Sequence, residues 1–352
     1  MNVEFVKFDP KTADADDWSK YHAYRYKRHQ EKSPEDDYLD DDVVTNSVKR
    51  DNPMADVMRY QVIDLDKDMA VGSLTMVVLK PGTPNHETNG HLMQVSGALL
   101  PVYRGHGLGK KMLKLVLDEA KKLDKQLIIM NSDEEDGKKF LKKIGAEFAL
   151  QGAENRLNFD TIDWEMVEQW YEDGKAKNPT TTLHNLSIIP EDMIERYCKL
   201  SSETSNQQPF DELDVNDMVI TPEFIRDRED RFEEMGVTYH VMITEEESGK
   251  LSGLTEMIKA PNVNQLSQGL TGVQSEFRGR KLGKYLKAAM LRFVKDKYPD
   301  TTVIKTDNAD SNEAMLSINN RLGFKRYKSS VNAQITRENL EKYISSKMAV
   351  SN

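Results

Sequence analysis

A twelve-residue segment occurs twice in this chain of 352 residues, about half a chain apart. The first copy, residues 99–110, reads LLPVYRGHGLGK, and the second, residues 273–284, reads VQSEFRGRKLGK. Flanking segments, GSLTM from Gly72 and GLTEM from Gly253, repeat in the same order. Because the spacing is close to half the chain, the pattern indicates duplication of a whole domain rather than a short solenoid repeat.

Both halves predict the same order of elements: early helices and strands, the repeated segment, a helix, a strand, a further helix and final strands. Apolar residues at helical spacing follow each copy, for example Leu282, Leu286 and Met290. Gly145 and Gly323 predict the C-termini of later helices. We therefore predict an α/β fold (α+β type) of two similar domains in tandem, each a mostly antiparallel mixed sheet flanked by helices. The predicted ranges are 1–160 for the first domain, 161–183 for a linker helix and loop, and 184–352 for the second domain.

Charge and cysteine content exclude several classes of protein. The chain has 49 lysines and arginines against 59 aspartates and glutamates, a net charge of −10, which argues against a broad nucleic-acid-binding surface. No apolar stretch approaches the ~18 residues of a membrane span, and residues 1–10 lack the apolar core of a secretory signal. The one cysteine, Cys198, has no intramolecular partner, and no Cys/His spacing resembles a zinc site. We expect a cytoplasmic protein that uses no metal and binds neither nucleic acid nor membrane.

The repeated segment has the composition of a phosphate-binding loop between a strand and a helix. Small residues let the backbone approach a ligand, and the N–H groups of the first helical turn bind phosphate. The spacing is not the Gly-x-Gly-x-x-Gly of dinucleotide sites and lacks the Gly-Lys-Ser/Thr of nucleotide triphosphate loops, so both are excluded. An ordinary turn explains one copy equally well, but two copies in matched surroundings favour phosphate binding.

The two copies resemble the acetyl-CoA signature of the GNAT N-acetyltransferase superfamily, Arg/Gln-x-x-Gly-x-Gly/Ala. The first copy matches it fully, whereas Lys281 replaces the central glycine in the second. Residues 308–315 and 318–324 are similar to the Asn-x-x-Ala and Leu-Gly-Phe helix of that superfamily. Over nearly its whole length the chain is similar to tandem-GNAT proteins, the group that includes mycothiol synthase.

This resemblance implies that acetyl-CoA binds as a co-substrate in a gap between two strands. In the second half the implied CoA-binding residues are Val273, Gln274, Arg278, Gly279, Arg280, Lys281, Leu282, Gly283, Lys284 and Asn312. In the first half they are Leu99, Leu100, Arg104, Gly105, His106, Gly107, Leu108 and Gly109. The C-terminal domain is usually the catalytic one in tandem-GNAT proteins, and the resemblance implies the same here.

Glu256 and Asn319 are the predicted catalytic residues. An amine of pKa ~10 is only ~0.1% deprotonated at neutral pH, so a general base is needed. Glu256 lies on the predicted strand 251–258, and its counterpart in the first half is Thr75. The alternative for Glu256 is that it pairs across the sheet or faces solvent. Many GNAT enzymes have a tyrosine at the position of Asn319; asparagine is no acid, but it can hydrogen-bond the sulfur or hold a water molecule.

The sequence thus predicts an N-acetyltransferase that moves an acetyl group from acetyl-CoA to a primary amine of a small molecule or peptide, by direct attack in a ternary complex. Both a monomer and a homodimer fit. The alternative is a non-catalytic CoA-binding sensor or scaffold, which Lys281 and the absent tyrosine favour. Chemistry in the first domain is a third interpretation, supported by its complete loop 104–109.

Overall fold

The computed structural model describes residues 1–348, and both halves of the chain follow the predicted α/β succession. The first half contains β1 Val3–Lys7, α1 Ala15–Lys32, α2 Asp41–Lys49, β2 Ala55–Asp64, β3 Met69–Leu79, α3 His86–Asn89, β4 Leu92–Leu99, α4 Leu108–Lys122, β5 Leu127–Ser132, α5 Glu135–Lys143 and β6 Glu147–Asn158. The second half contains α6 Trp164–Lys177, β7 Thr182–Leu186, α7 Ile194–Asn206, α8 Pro222–Glu234, β8 Thr238–Glu245, β9 Leu251–Lys259, β10 Gln265–Val273, α9 Leu282–Lys297, β11 Val303–Ala309, α10 Glu313–Leu322, β12 Lys325–Thr336 and α11 Arg337–Met348. Within residues 1–348, no helix has the length and apolar character needed to cross a membrane.

The chain forms two compact units, each with its own run of sheet. Unit 1 comprises residues 1–151, 210–216 and 330–348, and unit 2 comprises residues 152–209 and 217–329. The strand order is β1-β2-β3-β4-β5-β12 in unit 1 and β6-β11-β10-β9-β8-β7 in unit 2. The pairs β4–β5 and β10–β11 are parallel because α4 and α9 join them as crossover helices. The other paired strands within each unit run antiparallel, as predicted.

Two strands make the units depart from the predicted domain boundaries. Residues 152–158 of β6 pair antiparallel with β11, so the end of the first half completes the sheet of unit 2. Residues 331–336 of β12 pair antiparallel with β5, so the end of the second half completes the sheet of unit 1. The predicted ranges 1–160 and 184–352 therefore differ from the units at these two strands.

The segment predicted as a linker, residues 161–183, belongs to unit 2. Its helix α6 places Val167 and Trp170 in a buried cluster with Leu286 and Met290 of α9. Burial of apolar side chains stabilises this contact, which makes α6 part of the core rather than a connection between domains.

Helices cover both faces of the sheet in unit 2. The helices α6 and α9 pack on one face, while α7 and α8 pack on the other, where Tyr197 and Ile225 meet Leu254 of β9. Alternate residues of a strand point to opposite faces. Leu254 and Glu256 therefore point toward α7 and α8, and Met257 points toward α9.

The helix ends predicted from glycine are confirmed. The helix α10 ends at Leu322, followed by Gly323 with φ of +98°, a left-handed conformation that glycine adopts readily. The helix α5 ends at Lys143, two residues before Gly145 with φ of +78°.

Candidate functional site

In unit 2, the parallel strands β10 and β11 separate before β10 ends. They pair only over residues 265–267, after which β10 continues along β9 and β11 along β6. The N–H of Gln274 donates to the carbonyl of Ser252 at 2.9 Å. In an antiparallel pair, the backbone polar groups of successive residues point to opposite sides of the strand. Because those of Gln274 point to β9, those of Thr271 and Val273 point to the gap. This strand edge is suited to an extended ligand that pairs as an added strand.

Unit 1 has a similar gap. There β4 pairs with β5 only over residues 92–95, although β4 extends to Leu99. Leu99 and Leu100 are buried at the end of this strand, whereas Val273 and Gln274 are half-buried. The strand end in unit 2 is therefore the more accessible of the two.

The loops that follow the two gaps have the same backbone conformation. Gly105 and Gly279 have φ of +79° and +77°. Gly107 and Lys281, which directly precede α4 and α9, have φ of +80° and +63°. Lys281 thus keeps a left-handed conformation that costs an ordinary residue about 1–2 kcal/mol. Its Nζ pairs with Asp173 at 2.6 Å, so the side chain points to α6 and the backbone of the loop is retained.

The two loop arginines occupy equivalent positions. The Nε of Arg104 donates to the carbonyl of Leu99 at 3.0 Å, and the Nε of Arg278 donates to the carbonyl of Val273 at 3.2 Å. Each guanidinium is therefore fixed beside the last residue of the strand that borders the gap.

The charges around these arginines differ. In unit 1, the guanidinium of Arg104 lies 2.5, 3.2 and 3.6 Å from three carboxylates, those of Glu31, Glu134 and Asp136. In unit 2, Nη2 of Arg278 donates to the neutral Oε1 of Gln207 at 2.6 Å. An anionic ligand meets neutralising carboxylates in unit 1 and an arginine held by an amide in unit 2. Unit 2 is therefore the better electrostatic match for phosphate.

A cavity of about 600 Å³ opens beside the start of α9. Lys284 and Arg321 flank the ring of Trp170, with Nζ and Cζ at 5.0 and 5.2 Å from the ring centroid. Burial, followed by the charges of Arg321 and Lys281, lowers the pKa of Lys284. The other lining residues are a third cation, Lys281, which pairs with Asp173, and Asp163, Glu165, Met166 and Gln169. Three cations and three carboxylates therefore line the cavity. Basic groups around an aromatic ring suit a phosphorylated ligand that also carries a flat ring.

Other residues predicted to bind CoA have structural contacts as well. Leu108 and Leu282 are buried and anchor the first turns of α4 and α9. The side-chain oxygen of Asn312 caps α10. Arg280 pairs with Glu246 at 2.9 Å. Their contacts with CoA remain predictions.

The last glycine of each loop lies under a side chain of the next helix. A Cβ at Gly109 would lie 3.1 Å from the ring of Phe140, and one at Gly283 would lie 3.4 Å from Cδ1 of Ile318. These glycines therefore allow close helix packing. His106, in contrast, is exposed at the surface of the first loop.

Glu256 is enclosed by hydrogen-bond donors and does not face solvent. Its Oε1 accepts from the hydroxyls of Tyr239 and Tyr197 at 2.7 and 3.1 Å and from Nη1 of Arg228 at 3.2 Å. Its Oε2 accepts from the N–H of Leu270 at 3.1 Å. These four donors hold the carboxylate beside β10. A proton from a substrate therefore reaches the carboxylate only by relay through one of the donors, or after one of them has moved away.

A bulge in β10 lies opposite Glu256. The register against β9 shifts between Gln268 and Thr271, which leaves two residues of β10 facing one of β9. At Gly269 within the bulge, a Cβ would lie 2.8 Å from Oε2 of Glu256. In unit 1, β4 pairs with β3 in unbroken register, with Thr75 at the equivalent point. Unit 2 therefore has a carboxylate and a bulge where unit 1 has neither.

Burial determines the protonation states around Glu256. Burial first, and then the charge of Glu256, raises the pKa of Tyr239 and of Tyr197 well above the ordinary range. Burial acts to lower the pKa of Arg228, but Tyr197, Tyr239 and Glu256 outweigh it and raise the pKa. At neutral pH the two hydroxyls therefore keep their protons and Arg228 stays charged.

Asn319 lies in a buried polar cluster on the α9 side of the sheet. Its Oδ1 accepts from Nζ of Lys287 at 2.7 Å, and its Nδ2 donates to Oδ1 of Asn308 at 2.9 Å. The same Nζ donates to Oε1 of Gln268 at 2.6 Å. We call these four residues the Lys287 cluster. Burial lowers the pKa of Lys287 to about 7.

Lys287 and three of the donors to Glu256 were not predicted from the sequence. A signal for Lys287 was present, since residues 285–291 read YLKAAML and a helix that is apolar all round is buried. No local pattern marks Tyr197, Arg228 and Tyr239, because the fold brings them together from α7, α8 and β8. Within residues 1–348, no three His, Cys, Asp or Glu side chains are grouped as a metal site requires.

No protein-family model and no curated protein sequence matches this chain. A solved tandem GNAT protein from the clavulanic acid biosynthesis pathway is similar in structure, with a TM-score of 0.74 and 19% identity over 95% of this chain and 98% of that one. A GCN5-related N-acetyltransferase from Sphaerobacter thermophilus has a TM-score of 0.61 and 11% identity, over 96% of both chains.

A third similar structure is a GCN5-related glucosamine N-acetyltransferase region of a fungal multi-domain GH3 β-N-acetylglucosaminidase. Its TM-score is 0.62 at 13% identity, and the match covers 95% of this chain and 38% of that one. These likenesses show that the chain has the tandem GNAT fold, which confirms the fold predicted from the repeated segment.

Proposed function

From the tandem GNAT fold of this chain, we propose that it is an acyltransferase that moves an acetyl group from acetyl-CoA to a primary amine, and that unit 2 carries out the reaction. One observation carries the assignment to unit 2. The strand gap there leads into a left-handed loop whose arginine, Arg278, is held by the amide of Gln207 instead of by carboxylates.

The shape of unit 2 fits the parts of CoA. The backbone N–H and carbonyl of Thr271 would offer a donor and an acceptor to the pantetheine amides. The first-turn N–H groups of α9, which have no partner within the helix, would bind the pyrophosphate beside Arg278. The cavity at Trp170 and Lys284 would take the phosphorylated adenosine.

The chemistry of the proposed site is direct transfer. The N–H of Val273 would stabilise the oxyanion, and Glu256 would accept the amine proton through the hydroxyl of Tyr197 or Tyr239. Cys198 does not offer a covalent route, because it lies within α7 and burial raises the pKa of its thiol to about 11. A protonated thiol is a poor nucleophile, which favours attack by the amine in a ternary complex.

Unit 1 would serve as a structural partner without chemistry. Thr75 stands there at the position of Glu256, and Leu141 stands at the position of Asn319. Leu141 is part of the apolar core of unit 1, and Arg104 is surrounded by carboxylates. These features support a unit that keeps the fold, the gap and the loop, but whose loop arginine is neutralised and which has no counterpart of Glu256 or Asn319.

The test is acetylation of a panel of primary amines, including amino sugars, polyamines and peptide N-termini, by the full chain with acetyl-CoA. We expect CoA thiol release in equal amount to acetylated amine, detected with a thiol reagent and by mass spectrometry. Glu256→Gln should lower kcat by about 10²-fold or more while acetyl-CoA affinity stays within about threefold, because a general base contributes about 10²–10⁴ in rate. Acetyl-CoA binding with no acetylated amine would instead support the non-catalytic sensor or scaffold.

A further inference from the structure

Lys287 is a buried cation at the point where β10 leaves β11. Its side chain is almost entirely removed from solvent. Gln268, which accepts from Nζ at 2.6 Å, is the first residue of β10 beyond the last pair with β11. Asn319, which accepts at 2.7 Å, is bonded in turn to Asn308 of β11. The ammonium therefore lies at the inner end of the gap, tied to both of the strands that form it.

The groups that face Lys287 are neutral. The contacts of Nζ are with Gln268 of β10, Asn319 of α10 and the ring of Phe324 before β12. Behind them, Thr255 of β9 and Thr306 of β11 bond to Gln268, and Asn308 of β11 bonds to Asn319. Among the described residues, no carboxylate contacts Nζ, and only two acceptors do. A lysine ammonium has three N–H donors, so these two acceptors leave one donor without an acceptor among the described residues.

The fold does not require a lysine at this position. The sixth residue of α9 is Lys287, and the sixth residue of α4 is Leu113. The position of Asn319 is occupied by Leu141 in unit 1, and both leucines are buried in the same apolar cluster. Unit 1 fills this place with apolar side chains, whereas unit 2 buries a cation there at a cost in desolvation.

Lys287 and Glu256 contact β10 from opposite faces of the sheet, at residues two positions apart. Glu256 accepts from the N–H of Leu270 on the α7 and α8 side, and Lys287 donates to Gln268 on the α9 side. Acyl transfer needs a proton acceptor on the side where the amine enters and a proton donor where the leaving group departs. Glu256 on the α7 and α8 side would be the proton acceptor, and Lys287 on the α9 side would be the proton donor.

From this placement we infer that Lys287 is the acid that protonates the departing CoA thiolate in unit 2, with Gln268 and Asn319 as the residues that position its ammonium. The inference rests on the proposed acetyl transfer and adds a residue to it. Asn319 has no acidic proton, and the lysine behind it supplies one.

The step balances in atoms and charge. The amine nitrogen bonds to the acetyl carbon, and the carbon–sulfur bond breaks with its electron pair going to sulfur. A proton moves from Nζ of Lys287 to that sulfur, which gives the CoA thiol and a neutral lysine. The proton that the amine loses passes through Glu256 to solvent, and Lys287 takes a proton back from solvent before the next turnover.

The test compares the parent chain with Lys287→Met, a neutral side chain of similar length. The amine is the one acetylated in the panel described above, and acetyl-CoA affinity is measured by calorimetry. We expect Lys287→Met to lower kcat by about 10²–10⁴ and to leave acetyl-CoA affinity within about threefold. Because the acid must be protonated, the ratio of parent to variant kcat should fall as pH rises through about 7. A merely structural lysine would not produce this pH dependence.

Two results would overturn the inference while the proposed function stands: a variant with kcat close to that of the parent, or a kcat ratio that does not change with pH. If Lys287→Met does not fold, the parent alone decides, since the inference requires its kcat at saturating amine to fall above about pH 7. If the parent binds no acetyl-CoA or acetylates no amine, the proposed function fails, and the inference fails with it.

Discussion

Replacing Arg228 with methionine is expected to lower the free energy of unfolding by about 3–5 kcal/mol, the usual effect of removing one partner of a buried ion pair. Arg228 and Glu256 are 3.2 Å apart, and their side chains are only 13% and 9% exposed. Without the guanidinium, Glu256 remains as a buried carboxylate, and the hydroxyls of Tyr197 and Tyr239 lose a charged neighbour. Urea denaturation of parent and variant measures the difference.

The matched control is Arg326→Met in the same unit. Arg326 pairs with Asp310 at 2.9 Å, but these side chains are 50% and 43% exposed. An exposed pair contributes about 0–1 kcal/mol, so the control should change stability little. If Arg228→Met costs no more than Arg326→Met, the enclosed arrangement around Glu256 is wrong.

Leu113→Lys in unit 1 is expected to lower the free energy of unfolding by about 4 kcal/mol or more. The substitution forfeits the burial of a leucine, about 1.5–3 kcal/mol, and adds the cost of holding the new amine neutral, about 1.4 kcal/mol for each unit by which its pKa is depressed. Leu113 is 3% exposed among apolar side chains, with Leu141 in the place of the asparagine that serves Lys287.

The matched control is the reverse exchange, Lys287→Leu in unit 2. It removes a buried amine but leaves Gln268 and Asn319 without their donor, so the two effects oppose each other and we expect a change of about 2 kcal/mol or less. Leu113→Lys should also destabilise more at low than at high pH, because a depressed pKa makes stability fall as pH falls. If Leu113→Lys and Lys287→Leu lower the free energy of unfolding equally, the Lys287 cluster provides no special environment for a buried amine.

The repeated segment allowed much of the fold to be predicted, because left-handed loops and helix starts depend on local sequence. Both loops and both following helices lie where the pattern indicated, and Lys281 adopts the conformation of the glycine it replaces. It could not be predicted that β6 completes the sheet of unit 2 and that β12 completes the sheet of unit 1. Each is a strand with ordinary alternation, and its partner depends on edges that only the assembled sheets create.

The environment of Glu256 could not be predicted from the sequence, for a similar reason. Its position on a strand next to β10 was predicted, but its donors Tyr197, Arg228 and Tyr239 lie 17 to 59 residues away in the chain. The missing tyrosine drew attention to Asn319, whose catalytic role stays a prediction, but its partner Lys287 was not predicted as a site residue. The sequence signal for the burial of Lys287 is its position as a single lysine in an otherwise apolar helical segment.

The central claim is that unit 2 holds acetyl-CoA, and the most direct test is calorimetric titration of acetyl-CoA into the parent, Arg278→Ala and Arg104→Ala. The account predicts one site per chain in the parent. Loss of a charge-assisted hydrogen bond, about 1.5–3 kcal/mol, should weaken binding about 10- to 100-fold in Arg278→Ala. Arg104→Ala should bind as the parent does. Weakened binding in Arg104→Ala with unchanged binding in Arg278→Ala would place the cofactor in unit 1 and contradict the account.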